Sequence, residues 1–215
     1  MFDPFGLLAR YIPEAVLHRC IRFFMVAVLA TFLVHRVQQY PVSVLKPLWF
    51  AETALFAVLI IAFMLRSAPC NRSQGVREVV VPLIGSALPF VLLFAPPLPA
   101  ITGNRILLYG ALWWMTIATF LTVAGMWALR CSFSITVEAR TMITNGPYRF
   151  FRHPIYLGEM LAAVAVAFIR LSLFNVFVVL LFSAIQLYRA RMEEAKLRRV
   201  FPEYGDFAER SWWLW

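Results

Sequence analysis

The sequence predicts an all-α fold: a polytopic integral membrane helix bundle of five to six membrane segments, the last two forming a helical hairpin, followed by a cytosolic C-terminal helix. Three observations lead there. Of its 215 residues, 62% are hydrophobic and 14% charged, and the mean hydropathy is +0.76. A single soluble core cannot hide that much apolar surface. The apolar residues also gather into five long stretches between short polar segments, and the basic residues crowd into alternate connections, as they do in membrane proteins.

The opening run "MFDPFGLLARYIPEAVLHRC" has Asp3 and two prolines where a basic leader would stand. No small-x-small pattern follows, so a signal peptide is not expected. Phe2, Phe5, Leu8, Ile12 and Ala15 recur at helical spacing, which predicts a short amphipathic helix on the membrane surface. Membrane segments follow at Ile21 to Val34, Pro47 to Leu65, Val79 to Phe94, Ile106 to Leu129 and Ile155 to Tyr188. The first is short for a span. The last is too long for one, since about 20 residues cross the hydrocarbon. Arg170, Ser172 and Asn175 mark the bend that divides it into a hairpin.

With six passes and a cytosolic N-terminus, sixteen of the twenty Lys and Arg fall on the inner side. Arg36, Lys46, Arg105 and Arg170 alone fall outside. Such a bias orients membrane proteins, and it places both termini in the cytosol of a bacterial inner membrane or endoplasmic reticulum protein. "APPLPAITGN" reads as a tight external turn. Glu52, at the outer edge of the second span, is expected to be interfacial.

The net charge of +9 and pI near 10.1 fit anionic headgroups better than nucleic acid in a chain this apolar. Cys20, Cys70 and Cys131 make neither a paired framework nor a metal pattern, and no metal site is expected. The chain divides into an N-terminal transmembrane region, 1–130, and a C-terminal region, 131–215, that holds the polar motifs.

The first motif is "NGPYRFFRHPIYLGE", Asn145 to Glu159. Asn145, Gly146 and Pro147 form a turn, and Pro154 suits the first turn of the next helix. That helix start leaves backbone N–H groups able to hold an anion, beside Arg149, Arg152, His153, Tyr148 and Tyr156. The same residues would also serve to anchor a helix end at the headgroups, with His153 as a cap. Glu159 is expected either to pair with Arg152 or to shape a pocket.

The second motif is "LYRARMEEAKLRRVFPEYGDF". On a helix Arg189 shares a face with Glu193, and Arg191 with Glu194. Arg189 stands at the membrane boundary, where a guanidinium can grip a carboxylate or phosphate. Leu197, Phe201, Tyr204 and Phe207 give an apolar stripe that should fold the tail back onto the bundle or membrane.

"GPYRFFRHPIYLG" fits GxYxxxRHPxYxG, and the tail fits RxxxEExxL followed by a phenylalanine and "EY". In these two motifs the chain resembles the integral membrane methyltransferases related to isoprenylcysteine carboxyl methyltransferase and the phospholipid methyltransferases. The likeness runs from roughly Gly125 to Tyr204. It implies an S-adenosylmethionine site at the cytosolic mouth of the bundle and a lipidic or prenylated acceptor entering from the bilayer.

By residue match, Arg140, Thr141, Met142, Ile143, Tyr148, His153, Pro154, Ile155, Tyr156 and Glu193 would bind the cofactor. Arg189 and Glu193 would be catalytic, Arg189 holding the substrate. Arg140 departs from the family, which commonly has histidine there. The expected reaction is carboxyl O-methylation of an isoprenylcysteine-like acceptor. The alternatives are phospholipid or amine N-methylation, a nicotinamide-dependent sterol-type reductase, and a non-catalytic membrane protein.

Overall fold

The computed structural model describes residues 14–65, 75–129, 132 and 141–215. Phe2 to Ile12, Cys70, Cys131 and Arg140 lie outside them. Every described segment that crosses the molecule is helical. The long helices are α1 (Glu14–Gln38), α2 (Lys46–Leu65), α3 (Gly75–Ala87), α5 (Arg105–Leu129), α6 (Pro154–Ile169) and α7 (Leu173–Val200). A single turn, α4 (Pro99–Thr102), precedes α5, and α8 (Tyr204–Arg210) follows α7. The chain is an all-α membrane bundle.

Three described helices are long and apolar enough to cross a bilayer: α2, α5 and α7. Val80–Phe94 and Pro154–Ile169 are shorter apolar helical runs. Leu173, Leu180, Ile106, Ile117 and Phe94 all point outward, as lipid-facing side chains must. The short apolar stretch predicted for the first span sits inside the 25-residue α1. Polar residues at both ends extend that helix beyond what hydropathy marks.

Successive segments alternate in direction. Arg36, near the end of α1, pairs with Glu52 near the start of α2, and the Trp49 indole N–H donates to the Arg36 carbonyl at 2.7 Å. Glu52 is therefore more than interfacial, because it closes an ion pair between two helices. At the opposite end Lys196 of α7 meets Glu78 of α3 at 2.6 Å. The Trp114 indole in α5 donates to the Leu161 carbonyl of α6 at 2.9 Å.

The third span changes character midway. Pro82 lies inside α3, and after Ala87 the chain tightens into a 3-10 helix, Leu88–Phe94, with proline in its first turn. Backbone carbonyls near its end need donors from elsewhere in an apolar setting. Arg170 donates to the carbonyls of Leu93 and Ala95 at 3.1 and 2.5 Å. Asn175, fully buried, donates to those of Leu92 and Arg170 at 3.2 and 2.8 Å. Ser172 caps α7 by accepting from the Asn175 N–H at 3.1 Å. The three residues that predicted the bend thus make it and fasten it to a neighbour.

The closest helix pair is α5 with α6, and glycines permit the approach. A Cβ on Gly158 would strike the Thr122 side chain and lie 2.7 Å from the Ala118 carbonyl oxygen. A Cβ on Gly125 would lie 2.8 Å from the Ile155 side chain. Small residues let membrane helices associate by van der Waals contact where no hydrophobic force separates lipid from protein.

This contact yields a paired expectation. Gly158→Ala should destabilise the detergent-solubilised protein by about 1–3 kcal/mol through overpacking. Gly110→Ala, with nothing within 4 Å of the added carbon, should be neutral or stabilising by up to about 1 kcal/mol. Thermal unfolding of the two variants side by side measures the difference, and equal melting points would contradict the packing account.

Candidate functional site

The site is assembled where α6 begins and α7 ends. Asn145 enters extended, Gly146 takes φ of +59°, and Pro147 opens a turn of 3-10 helix, Gly146–Arg149. The positive φ is the conformation that glycine supplies without steric cost. A Cβ there would be 3.5 Å from Ala128, so the backbone conformation makes the demand and crowding does not. The turn drives Tyr148 inward, onto Tyr204 and Phe207 of α8, with Met142, Ile143, Leu197 and Phe201 packed around them. The tail folds back through these contacts.

From Phe151 the chain enters the bundle. Arg152, His153, Pro154, Ile155 and Tyr156 are all buried. The Arg152 guanidinium donates to both carboxylate oxygens of Glu194, at 3.0 and 3.2 Å. His153 Nε2 lies 3.1 Å from the same carboxylate, and its Nδ1 lies 4.0 Å from Glu193. Arg198 adds a contact to Glu194 at 3.2 Å. The His153 side chain makes no cap bond at the start of α6, so its polar atoms serve the carboxylates.

Tyr156 carries the network deeper. Its ring stacks on His153 at 5.6 Å, and its hydroxyl donates to Glu193. The Arg189 guanidinium lies 4.8 Å above the Tyr156 ring, and its Nη1 donates to Gln186 Oε1 at 2.8 Å. The fully buried Gln186 passes the connection on to Glu159 through its amide. Gly85 of α3 leaves room for this arginine, because a Cβ there would be 3.4 Å from Arg189 Cδ and Nη1. Burial, then the charges of Glu193 and Glu159, push the Tyr148 phenol well above its usual range. Burial likewise raises Tyr204, with Glu194 adding to it. Both phenols stay neutral at physiological pH and cannot serve as anions.

The two motifs therefore meet. His153, Pro154, Ile155, Tyr156, Arg189 and Glu193 form one cluster, with Tyr148 near enough to feel the Glu193 charge. Thr141 is exposed and shares a hydrogen bond with Ser132. Met142 and Ile143 are half-buried in the aromatic patch, and Ile143 also lines a cleft of about 660 Å³ with Ala128, Ser132, Asn145, Gly146 and Pro147.

Two expectations are corrected. Arg152 does not pair with Glu159, because it reaches Glu194 on α7 while Glu159 takes the Gln186 amide. Arg191 and Glu194, expected to share a face, look different ways: Arg191 is exposed over the Trp215 ring at 4.8 Å while Glu194 faces inward. Glu194 is the centre that sequence reasoning missed. Its signal was present: of two adjacent glutamates on a helix about 100° per residue apart, both can turn inward only if cations meet both.

Residues 100–204 match the family model described as phospholipid methyltransferase. Over 96 residues the chain is 32% identical to a nickel-cobalt-cadmium resistance protein, NccN, of Alcaligenes xylosoxydans xylosoxydans, covering 43% of each protein. Over 93 residues it is 32% identical to a cobalt-zinc-cadmium resistance protein, CzcN, of Cupriavidus metallidurans, covering 42% of this chain and 41% of that one. The chain thus spans less than half the length of these curated relatives. No solved structure matches. The family match lies in the part of the chain that holds both polar motifs.

Removing Glu194 tests the architecture. Glu194→Ala leaves the buried Arg152 guanidinium without its carboxylate, an expected loss of about 3–5 kcal/mol. Glu194→Gln keeps an acceptor and should lose less. A melting series in detergent that left Glu194→Ala as stable as the parent would refute the pairing.

Proposed function

We propose that the chain transfers a methyl group from S-adenosylmethionine to a lipidic acceptor held in the bilayer, with carboxyl O-methylation of an isoprenylcysteine-like substrate as the preferred reaction. One observation carries the reading: the RHP segment and the RxxxEE segment, which lie some 40 residues apart (41 between His153 and Glu194), converge on one buried network at a single end of the bundle. The orientation follows the charge bias. The motif-bearing end faces the cytosol, where a soluble methyl donor is found.

The residues present suit that cofactor chemically. A positively charged sulfonium is favoured by the Glu193 carboxylate and by the faces of Tyr148 and Tyr156. His153 offers a ring nitrogen to polar groups, while Pro154 and Ile155 supply apolar contact. Thr141, Met142 and Ile143, with Arg140 before them, would border the cofactor mainly by backbone, since Met142 and Ile143 commit their side chains to the aromatic patch. When bound, S-adenosylmethionine supplies an electrophilic methyl that a carboxylate can accept without a base.

The remaining work belongs to the protein. Arg189 orients the acceptor carboxylate through its guanidinium, and Tyr156 fixes that guanidinium by offering its ring face. Glu193, held by the Tyr156 hydroxyl, closes the site. Apolar packing by Ile155 and Trp213 excludes water, so alignment and preorganised charge carry the rate. For a phospholipid amine, the second reading favoured by the family description, a proton must leave the acceptor, and Glu193 is the group placed to take it. Among the described residues no group of three or more His, Cys, Asp or Glu is placed to hold an ion.

Calorimetry on the purified protein should detect S-adenosylhomocysteine, and not reduced nicotinamide nucleotide. Arg189→Ala should lower kcat/KM for farnesylcysteine or phosphatidylethanolamine by about 100-fold while S-adenosylhomocysteine affinity holds. His153→Ala should weaken that affinity by about tenfold, the loss of one good hydrogen bond. Parental methyl transfer and affinity in both variants would overturn the assignment.

A further inference from the structure

Beyond α8 the chain runs Ser211, Trp212, Trp213, Leu214, Trp215, and this strap is built into the polar network. The Arg152 N–H donates to the Trp212 carbonyl at 3.1 Å, and the Trp212 N–H returns to the Phe150 carbonyl at 2.8 Å. The Arg152 guanidinium donates to the Trp215 carbonyl, and the Trp215 indole donates to Glu194 at 3.3 Å. Trp213 lies between these ties, 4% exposed, its ring edge-on to His153 at 4.9 Å and 5.9 Å from that of Trp215.

Buried indole N–H groups normally find an acceptor. Trp49, nearly as buried, donates to a backbone carbonyl, and so does the more exposed Trp114. The Trp213 Nε1–H has none. Arg152 Nε is a second buried donor without an acceptor, on the residue that adjoins His153 and holds the strap. Both terminal nitrogens of that guanidinium are engaged, Nη1 by Glu194 and Nη2 by Trp215, which leaves the Nε edge.

We propose that Trp213 is a ligand-binding residue, its indole N–H joining Arg152 Nε to receive a carboxylate oxygen. The ligand class follows from the chemistry. Both groups only donate, and one belongs to a permanent cation. The inference rests on the methyl-transfer reading and adds to it a residue outside both motifs. The carboxylate comes from the methyl donor, or from the lipidic acceptor if Trp213 and Arg152 rather than Arg189 hold it.

Indole ¹⁵N-labelled protein in detergent micelles distinguishes them. The Trp213 resonance is assigned by its loss in Trp213→Phe or, should that variant fail to fold, by elimination using Trp212→Phe and the other single tryptophan replacements. Its N–H signal should move on addition of S-adenosylhomocysteine if the donor brings the carboxylate, or of farnesylcysteine if the acceptor does. Trp213→Phe should weaken the same ligand by about tenfold. A Trp213 signal that stays still while the parent protein binds either compound overturns the proposal and leaves the methyl-transfer reading standing. If the parent binds neither, that reading fails and this inference falls with it.

Discussion

The Arg152–Glu194 ion pair is the interaction on which the motif-bearing end of the molecule depends. Each partner is nearly inaccessible, with side-chain exposures of 7% and 3%, and desolvating two charges costs several kcal/mol per ion unless the geometry and extra hydrogen bonds offset it. The offsets are present. Glu194 accepts from Arg152, His153, Arg198 and Trp215. Every one of those donors comes from a different stretch of chain except the neighbouring pair Arg152 and His153. Satisfying a single carboxylate thus fixes the loop before α6, the last turns of α7 and the strap after α8 in one arrangement.

That arrangement needs a rigid floor, and the floor comes from residues with almost no side chain. Gly125 and Gly158 allow α5 to press against α6, so the start of α6 cannot shift without breaking backbone contact. Gly85 lets α3 approach α7, where a Cβ would lie 3.0 Å from the Ile185 side chain. Arg189 passes the same glycine at 3.4 Å from that position, an ordinary packing contact. Its guanidinium is held over Tyr156 by packing as much as by hydrogen bonds, and this preorganisation is what a positioning role requires.

Much of the fold was legible because the bilayer imposes one requirement on every span. Hydropathy found α2 and α5 within a residue, and a run too long for one span made Arg170, Ser172 and Asn175 readable as a bend. The convergence of the RHP and RxxxEE segments was legible only as motifs, since nothing in local spacing says which face of α7 looks inward. That ambiguity covers Arg191 and Glu194: intrahelical spacing sets them on one face, and only the cations on another element turn Glu194 inward. The Arg152 alternative for Glu159 fell for the same reason, its partner Gln186 being a neutral residue that gives no charge signal. Trp213 was invisible because a tryptophan-rich run after an amphipathic helix has the composition of an interfacial anchor, which fits the half-exposed Trp212 and Trp215 but not the residue between them.

The deeper part of the polar network, Arg189 to Gln186 to Glu159, is linked through a neutral amide, and that link is compatible with turnover. Arg189 donates to Gln186, a neutral amide oxygen. A substrate carboxylate is a stronger acceptor for a guanidinium than an amide, so exchange of one for the other is downhill at that atom. Gln186 would retain Glu159 as acceptor for its own N–H groups. Tyr156 keeps its hydroxyl on Glu193 and its ring under Arg189 throughout. The ligand-free bundle therefore avoids most orphaned charge in its apolar interior, while the one exchange that the proposed chemistry needs leaves few buried donors stranded. A site with Arg189 surrounded only by carboxylates would bind no anion, and one with no neighbouring acceptor would cost the fold stability whenever the substrate was away.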